Sequence, residues 1–219
     1  NLNFSFDRVN GRPKVVGSLV EFGMDAYLGV PAIDRLNGLI SLQPERGYLD
    51  IDNDAFQMYF SNMFPEPWPF DSGRGRISYE VADGQFSVSS SLIELVAGDL
   101  EARGKLTLNL PGSREYQTWG LTLGVTRGEL LEASRYIPNT IPTELVDWLD
   151  AAILGGQIVE TGLIIHGALF RGSPKVRKAH DLYLRVEDTT MAYHEDWPVV
   201  ESVKGTVHVN NYFVRSNEI

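Results

Sequence analysis

Three aspartates at alternate positions and the four histidines are the candidates for a metal site in this 219-residue sequence. Asp50, Asp52 and Asp54 have the first three spacings of a calcium-binding loop. That loop also needs a glycine and a closing glutamate where this sequence has Ala55 and Ser61. The histidines are His166, His180, His194 and His208. No two of them are four residues apart, so they lack the helical spacing of paired ligands. The sequence therefore predicts no metal site.

The segment from Gly98 to Lys105 is similar to a phosphate-binding loop but departs from it twice. Five residues separate Gly98 from Gly104 where that loop has four, and Leu106 replaces the Ser or Thr that would bind magnesium. There is also no cysteine and no G-x-S-x-G nucleophile motif. A glycosidase-type carboxylate pair, distant in sequence, stays open. We expect no catalytic residue and no cofactor, and hence a protein that is not an enzyme.

The bulk composition excludes other partner classes. A net charge of −10 and a pI near 4.8 would repel nucleic acid, whose binding requires clustered Lys and Arg. No apolar run approaches the roughly 20 residues of a membrane-spanning helix. Because strand-like alternation starts near Phe4 and continues to Val214, we expect the chain to be part of a longer protein.

Alternation of apolar and polar residues dominates the sequence. It is clearest from Leu100 to Leu110, where every even position is apolar or small and every odd one is polar, as in a strand with one solvated face. Similar runs occur at Asn3–Val9, Gly75–Val81, Gln85–Ser89, Trp119–Val125, Gly162–Leu169, Asp181–Val186 and Gly205–Val209. This pattern predicts a mainly β protein with about a dozen antiparallel strands.

A glycine followed by two alternating apolar residues recurs within these runs. The segments starting at Gly38 and Gly47 are nine residues apart, and so are those starting at Gly75 and Gly84. We interpret them as two copies of one hairpin. The alternative is that glycine simply opens strands after turns.

One helical segment, around residues 128–154, interrupts the strands. We predict helix at Gly128–Tyr136 and at Pro142–Leu154, where an apolar stripe includes Leu145 and Trp148. A helix this short needs a docking surface, so we expect it to cover an end or edge of the sheet. A lid over a ligand and a membrane-surface contact are the alternatives. We expect residues 1–219 to form one continuous β segment, with possible sub-units 1–127 and 155–219 on either side.

One-sided strands with few helices must bury their apolar face against a second sheet, in a closed barrel, or against an apolar ligand in a groove. We define the candidate lining set as the apolar positions of the clearest strands. Its members are Phe86, Val88, Leu106, Leu108, Leu121, Leu123, Leu163, Ile165, Leu182, Leu184, Val207 and Val209. An ordinary sandwich core is the competing interpretation for the same residues.

A set of short motifs resembles the periplasmic region of the YhdP branch of AsmA-like proteins. The motifs are Tyr136-Ile137-Pro138, Leu145, Trp148-Leu149, Gly155-Gly156, Gly162-Leu163, Gly167, Tyr193 and Trp197-Pro198. The resemblance covers most of the chain and is sharpest from Gly75 to Asn211. It departs from the family pattern between Phe170 and Ala179.

The resemblance implies an elongated, curved antiparallel sheet that forms an open hydrophobic groove. It implies a long protein anchored in the inner membrane, related to TamB and to eukaryotic bridge-like lipid transfer proteins, that carries phospholipid acyl chains across the periplasm toward the outer membrane and maintains the outer-membrane barrier. A dozen strands about 4.8 Å apart would extend such a groove by nearly 60 Å. It implies no catalytic residues. Lys175, Arg177 and Lys178 are candidates to contact lipid phosphates.

Two other functions remain open from the sequence. A β-sandwich that binds carbohydrate would use Trp68, Trp119 or Trp197 as a stacking platform, and a structural spacer of the cell envelope would bind neither ligand. The β-sandwich would have a closed, dry core and an exposed aromatic strip.

Overall fold

The computed structural model describes residues 2–9, 11–26, 31–61, 64–139, 141–169, 176–211 and 213–217. These residues form one antiparallel sheet, which confirms the predicted mainly β fold. The strands are β1 (Leu2–Val9), β2 (Arg12–Met24), β3 (Ala32–Leu42), β4 (Arg46–Tyr59), β5 (Trp68–Ala82), β6 (Gln85–Ser90), β7 (Ile93–Ala97), β8 (Leu100–Leu110), β9 (Thr118–Glu129), β10 (Ile153–Ala168), β11 (Ala179–Met191), β12 (Val200–Asn210) and β13 (Phe213–Asn217).

The strands follow one another in the sheet in chain order, each paired with the next. The exception is the position between β5 and β8, which β6 and β7 share end to end. The thirteen strands therefore occupy twelve positions, and at about 4.8 Å between neighbours the described sheet is about 50 Å long. Pairing of β9 with β10 keeps the sheet continuous across the helical segment.

Each strand contributes alternate residues to two faces, which differ in polarity. Leu106 lies opposite Leu121, and Leu121 lies opposite Ile165. The same register aligns Ile40, Leu49 and Ile77 in β3 to β5. We call the face that carries these residues the apolar face and the other the outer face.

The ends of the strands form two rims along the sheet. The turn rim contains the short connections at residues 11–13, 42–46, 82–85, 110–118, 176–180 and 209–211. The helix rim contains residues 24–26, 31–34, 58–61, 64–68, 97–100, 127–139, 141–153 and 188–201. The helical segment lies entirely on the helix rim.

A row of irregular residues bends the strands near the helix rim. Glu21, Arg35, Ala55, Asp188 and Ser202 all have positive φ within strands, most of them beside shifts in pairing register. Bulges of this kind increase the local twist and bend the strand.

Two asparagines satisfy the backbone groups that these bulges release. The side chain of Asn53 is 1% exposed, accepts a hydrogen bond from the backbone N–H of Asn37, and donates to the carbonyl of Arg35 at 2.8 Å. Asn37 in turn accepts from the backbone N–H of Glu21 at 2.9 Å. The bulges of β2, β3 and β4 are thus linked through side-chain amides.

The helical segment is shorter than predicted at both ends. Gly128 belongs to β9, and a 3₁₀ helix begins only at Leu130 and ends at Tyr136. Helix α1 comprises Thr143–Ala152. The predicted helix extended to Leu154, but Ile153 lies opposite Met191 in the sheet, so pairing with β11 ends the helix.

The 3₁₀ helix packs on the apolar face. Leu130 is buried in a cluster with Ala102, Val125 and Ile158, which lie on three neighbouring strands. In contrast, α1 leaves Leu145 and Trp148 exposed. The 3₁₀ helix therefore covers one end of the strands, whereas the prediction that the apolar stripe of α1 docks on the sheet is wrong for Leu145 and Trp148.

Gly156 is expected to be essential for seating the 3₁₀ helix. Its φ is +139°, and an added Cβ would lie 2.8 Å from Cα of Thr189 and 2.9 Å from Cδ1 of Leu130. We expect Gly156→Ala to lower the free energy of unfolding by about 2–3 kcal/mol, because overpacking and backbone strain combine. Chemical denaturation tests this. Gly155→Ala is the matched control, since nothing lies within 4 Å of its added Cβ; equal losses in the two variants would contradict this role.

Candidate functional site

All twelve residues of the candidate lining set lie on the apolar face. Direct pairing links Val88 to Leu108, Leu123 to Leu163, and Leu163 to Leu182. Leu182 is opposite Val209, and Leu184 is opposite Val207. None of the twelve is fully buried: Phe86 is exposed and the others are half-buried.

The apolar face extends well beyond that set, into strands β2 to β5. The candidate lining set left out the residues of these strands. In β3, for example, apolar residues occur in consecutive pairs such as Leu39-Ile40, and the pattern does not decide which of the two lies on the apolar face. The structure places Ile40 on the apolar face, whereas Leu39 is on the outer face and 57% exposed.

Burial along the apolar face changes from one rim to the other. Near the helix rim Leu36 and Phe56 are each 3% exposed, and the cluster around Leu130 is also buried. Near the turn rim Leu42, Val81 and Phe86 are all exposed. The apolar face is therefore covered along the helix rim and accessible along the turn rim.

Aromatic side chains close the helix rim between β5 and the 3₁₀ helix. The Trp68 ring lies 4.3 Å from that of Phe64 and 5.2 Å from that of Tyr136, measured between centroids. The indole Nε1 of Trp68 donates to the carbonyl of Arg135 at 3.3 Å. Burial raises the pKa of the Tyr136 hydroxyl. These contacts hold the 3₁₀ helix against a strand that lies several sheet positions from β9.

The outer face carries ion pairs between neighbouring strands. Asp50 accepts two hydrogen bonds from Arg76, at 2.5 and 2.7 Å, and Asp52 accepts one from Arg74 at 2.8 Å. The aspartates that have partial calcium-loop spacing are thus on a strand, and two of them pair with arginines. Within the described ranges no group of three His, Asp or Glu side chains could hold a metal ion.

The ion pair between Asp50 and Arg76 can be tested through the pKa of the Asp50 carboxyl. Hydrogen bonds from Arg76 hold the pKa of the Asp50 carboxyl below its ordinary value of 3.8. We therefore expect Arg76→Ala to raise this pKa, measured by a carbon-detected NMR titration, while Arg74→Ala leaves it unchanged. Because the folded-state pKa is the lower one, the stabilisation is present above the unfolded-state pKa and is lost as pH falls through the folded-state pKa. Identical Asp50 titrations in wild type and Arg76→Ala would contradict the pairing.

The three tryptophans proposed as a stacking platform do not share a surface. Trp119 lies on the apolar face at the turn rim, opposite Leu108 and Gly167. Trp68 belongs to the aromatic cluster at the helix rim, and Trp197 is exposed in the helix-rim connection before β12. These three tryptophans therefore do not form a continuous aromatic strip for a sugar chain.

The basic residues predicted to contact phosphate are at the turn rim. Arg177 and Lys178 are both exposed, and Lys175 is outside the described residues. A Cβ added to Gly167 would lie 3.6 Å from Cγ of Lys178 and 3.8 Å from Nε1 of Trp119. Since Gly167 is on the apolar face, the Lys178 side chain reaches over that face at its rim.

Helices that could span a membrane are absent from the part of the chain that the structure describes. No curated protein and no solved structure matches the chain. The model of the YhdP protein family matches residues 3–216, nearly the whole chain. That family consists of AsmA-like envelope proteins associated with lipid transport and is not known for catalysis. Together with the single sheet and its accessible apolar face, this match establishes that the chain belongs to the YhdP family.

Proposed function

We propose that this chain is a non-catalytic segment of a phospholipid conduit between the inner and outer membranes, and that it acts in the periplasm as part of a membrane-anchored protein. The observation that carries the proposal is the apolar face. It runs from β2 to β12, and among the described residues only the helix-rim side is covered. Exposed apolar surface on this scale is typical of a binding surface.

The energetics favour a conduit over a tight binding site. Each CH₂ removed from water is worth about 0.8 kcal/mol, so a chain of about 16 carbons gains on the order of 12 kcal/mol in either a bilayer or an apolar groove. A conduit must match the bilayer without exceeding it, because a lipid that bound more tightly would not leave. The row of half-buried leucine, isoleucine and valine side chains on the apolar face offers contacts of this general kind.

Fluorescence quenching by brominated acyl chains tests the proposal. Trp119 is on the apolar face, so a variant that retains Trp119 as its single tryptophan should be quenched by phospholipid brominated in mid-chain. A variant that retains only Trp197, which is 59% exposed at the helix rim, is the control. Equal quenching in the two variants, or none in the Trp119 variant while it remains folded, would refute acyl-chain binding on this face.

A further inference from the structure

The two rims of the sheet differ strongly in charge. The helix-rim segments defined above contain thirteen acidic residues and only two basic ones, Arg127 and Arg135. The turn-rim segments contain five basic and three acidic residues. The net charge of −10 is therefore concentrated along the rim that the 3₁₀ helix covers.

We propose that a lipid held on the apolar face is oriented, with its phosphate headgroup at the turn rim and its acyl chains toward the helix rim. This inference rests on the proposed function and adds a direction to it. The ligand chemistry it specifies is a glycerophospholipid phosphate next to Lys178 and the neighbouring basic side chains.

The charge of each rim acts only on a headgroup at that rim, because electrostatic interactions are short-ranged at physiological salt. β8 runs from one rim to the other over 11 residues, a path of about 34 Å at about 3.4 Å per residue. The Debye length at physiological salt is about 8 Å, so a phosphate at one rim does not sense charges at the other. A headgroup at the helix rim would meet acidic side chains and be repelled. At the turn rim it would meet a basic excess.

Packing favours the same orientation. On the helix rim, Leu130 and the aromatic cluster around Trp68 already cover the apolar face, so a headgroup there would have to displace buried side chains. On the turn rim Leu42, Val81 and Phe86 leave the face open to solvent. A phospholipid can therefore keep its headgroup in water at the turn rim without displacing these side chains.

Lys178 is the basic side chain best placed for the contact. Its aliphatic stem lies near Gly167 and Trp119 on the apolar face. A lysine whose stem covers apolar surface extends its ammonium into the water at the edge. The register of β10 with β11 also places His180 opposite Ile165, so the apolar row of β11 becomes polar as it reaches the turn rim.

Charge reversal at Lys178 tests the orientation. We expect Lys178→Glu to reduce retention of phosphatidylglycerol about three- to ten-fold, measured by lipid extraction from the purified chain after exchange with vesicles. Lys105→Glu is the matched control, because Lys105 is exposed on the outer face and the charge change is the same. Lys178→Met, which keeps an aliphatic stem, should fall between wild type and Lys178→Glu. Equal retention in Lys178→Glu and Lys105→Glu would overturn the role of Lys178.

A second experiment maps the headgroup directly. Phospholipids with a photoactivatable group either on the headgroup or at mid-chain are bound to the wild-type chain, irradiated, and the labelled peptides identified. Headgroup labels should concentrate at residues 82–85, 110–118 and 176–180, whereas acyl-chain labels should fall within the strands. Headgroup labels at the helix rim, or equally at both rims, would overturn the orientation. Absence of acyl-chain labels would instead refute the proposed function itself.

Discussion

Replacing Leu121 by aspartate is expected to reduce acyl-chain binding at least ten-fold while the chain stays folded. Leu121 is half-buried on the apolar face between Leu106 and Ile165. A leucine that loses its apolar contact forfeits about 1.5–3 kcal/mol, and each 1.4 kcal/mol corresponds to a factor of ten in affinity. The carboxylate would also lose hydration when a lipid chain covers it. Binding of a fluorescent phospholipid to the delipidated chain measures the effect.

The neighbouring residue supplies the control. Thr122 is exposed on the outer face, so Thr122→Asp introduces the same charge at the same position along the sheet without touching the apolar face. Circular dichroism of both variants reports the fold. If Leu121→Asp unfolds the chain, the apolar face is a closed core. If both variants bind lipid like wild type, this row does not line the binding surface.

Replacing Asn53 by alanine is expected to lower the free energy of unfolding by about 2–4 kcal/mol. The substitution leaves the part-buried N–H of Asn37 without its acceptor and the carbonyl of Arg35 without the amide donor of Asn53. Each unsatisfied buried group costs about 1–3 kcal/mol. These bonds link the bulges of neighbouring strands. Their loss therefore destabilises the bend of the strands near the helix rim.

Urea denaturation checks this prediction, with the midpoint falling and the slope unchanged. Asn109→Ala is the control, because Asn109 is exposed in a strand and its only side-chain bond given by the structure, to Thr118, is 3.5 Å long. A loss below about 0.5 kcal/mol in Asn53→Ala, the range of ordinary surface substitutions, would show that the amide bonds do not stabilise the bulges.

Alternation predicted the strands and their faces because side chains in a strand alternate between the two sides of a sheet. All twelve lining residues consequently fall on one face. Register could not be predicted, and the two hairpins show why. Leu42 pairs with Gly47 across a four-residue turn, whereas Ala82 pairs with Gln85 across two residues. The two hairpins thus share the spacing of nine residues between their glycines but differ in register, because Gly47 is in a strand and Gly84 is in a turn.

The side chains that cover the apolar face at the helix rim could not be predicted from the sequence pattern either. Nothing in the pattern marks Asn53 as buried, because asparagine is mostly exposed in folded proteins. Likewise, the stripe of α1 is amphipathic, yet Leu130 and the 3₁₀ helix make the contact with the apolar face. The burial of Asn53 depends on the bulges of neighbouring strands, and the seating of Leu130 depends on its contacts with three strands of the sheet. The charge difference between the rims emerges only once each connection is assigned to an end of the sheet.

Native mass spectrometry of the purified chain, followed by organic extraction and lipid identification, is the most direct test of lipid binding on the apolar face. We expect phospholipid bound to the wild-type chain and to Thr122→Asp, and its loss from Leu121→Asp. A mass without lipid for a folded wild-type chain that also fails to take up phospholipid from vesicles would show that the apolar face does not bind lipid.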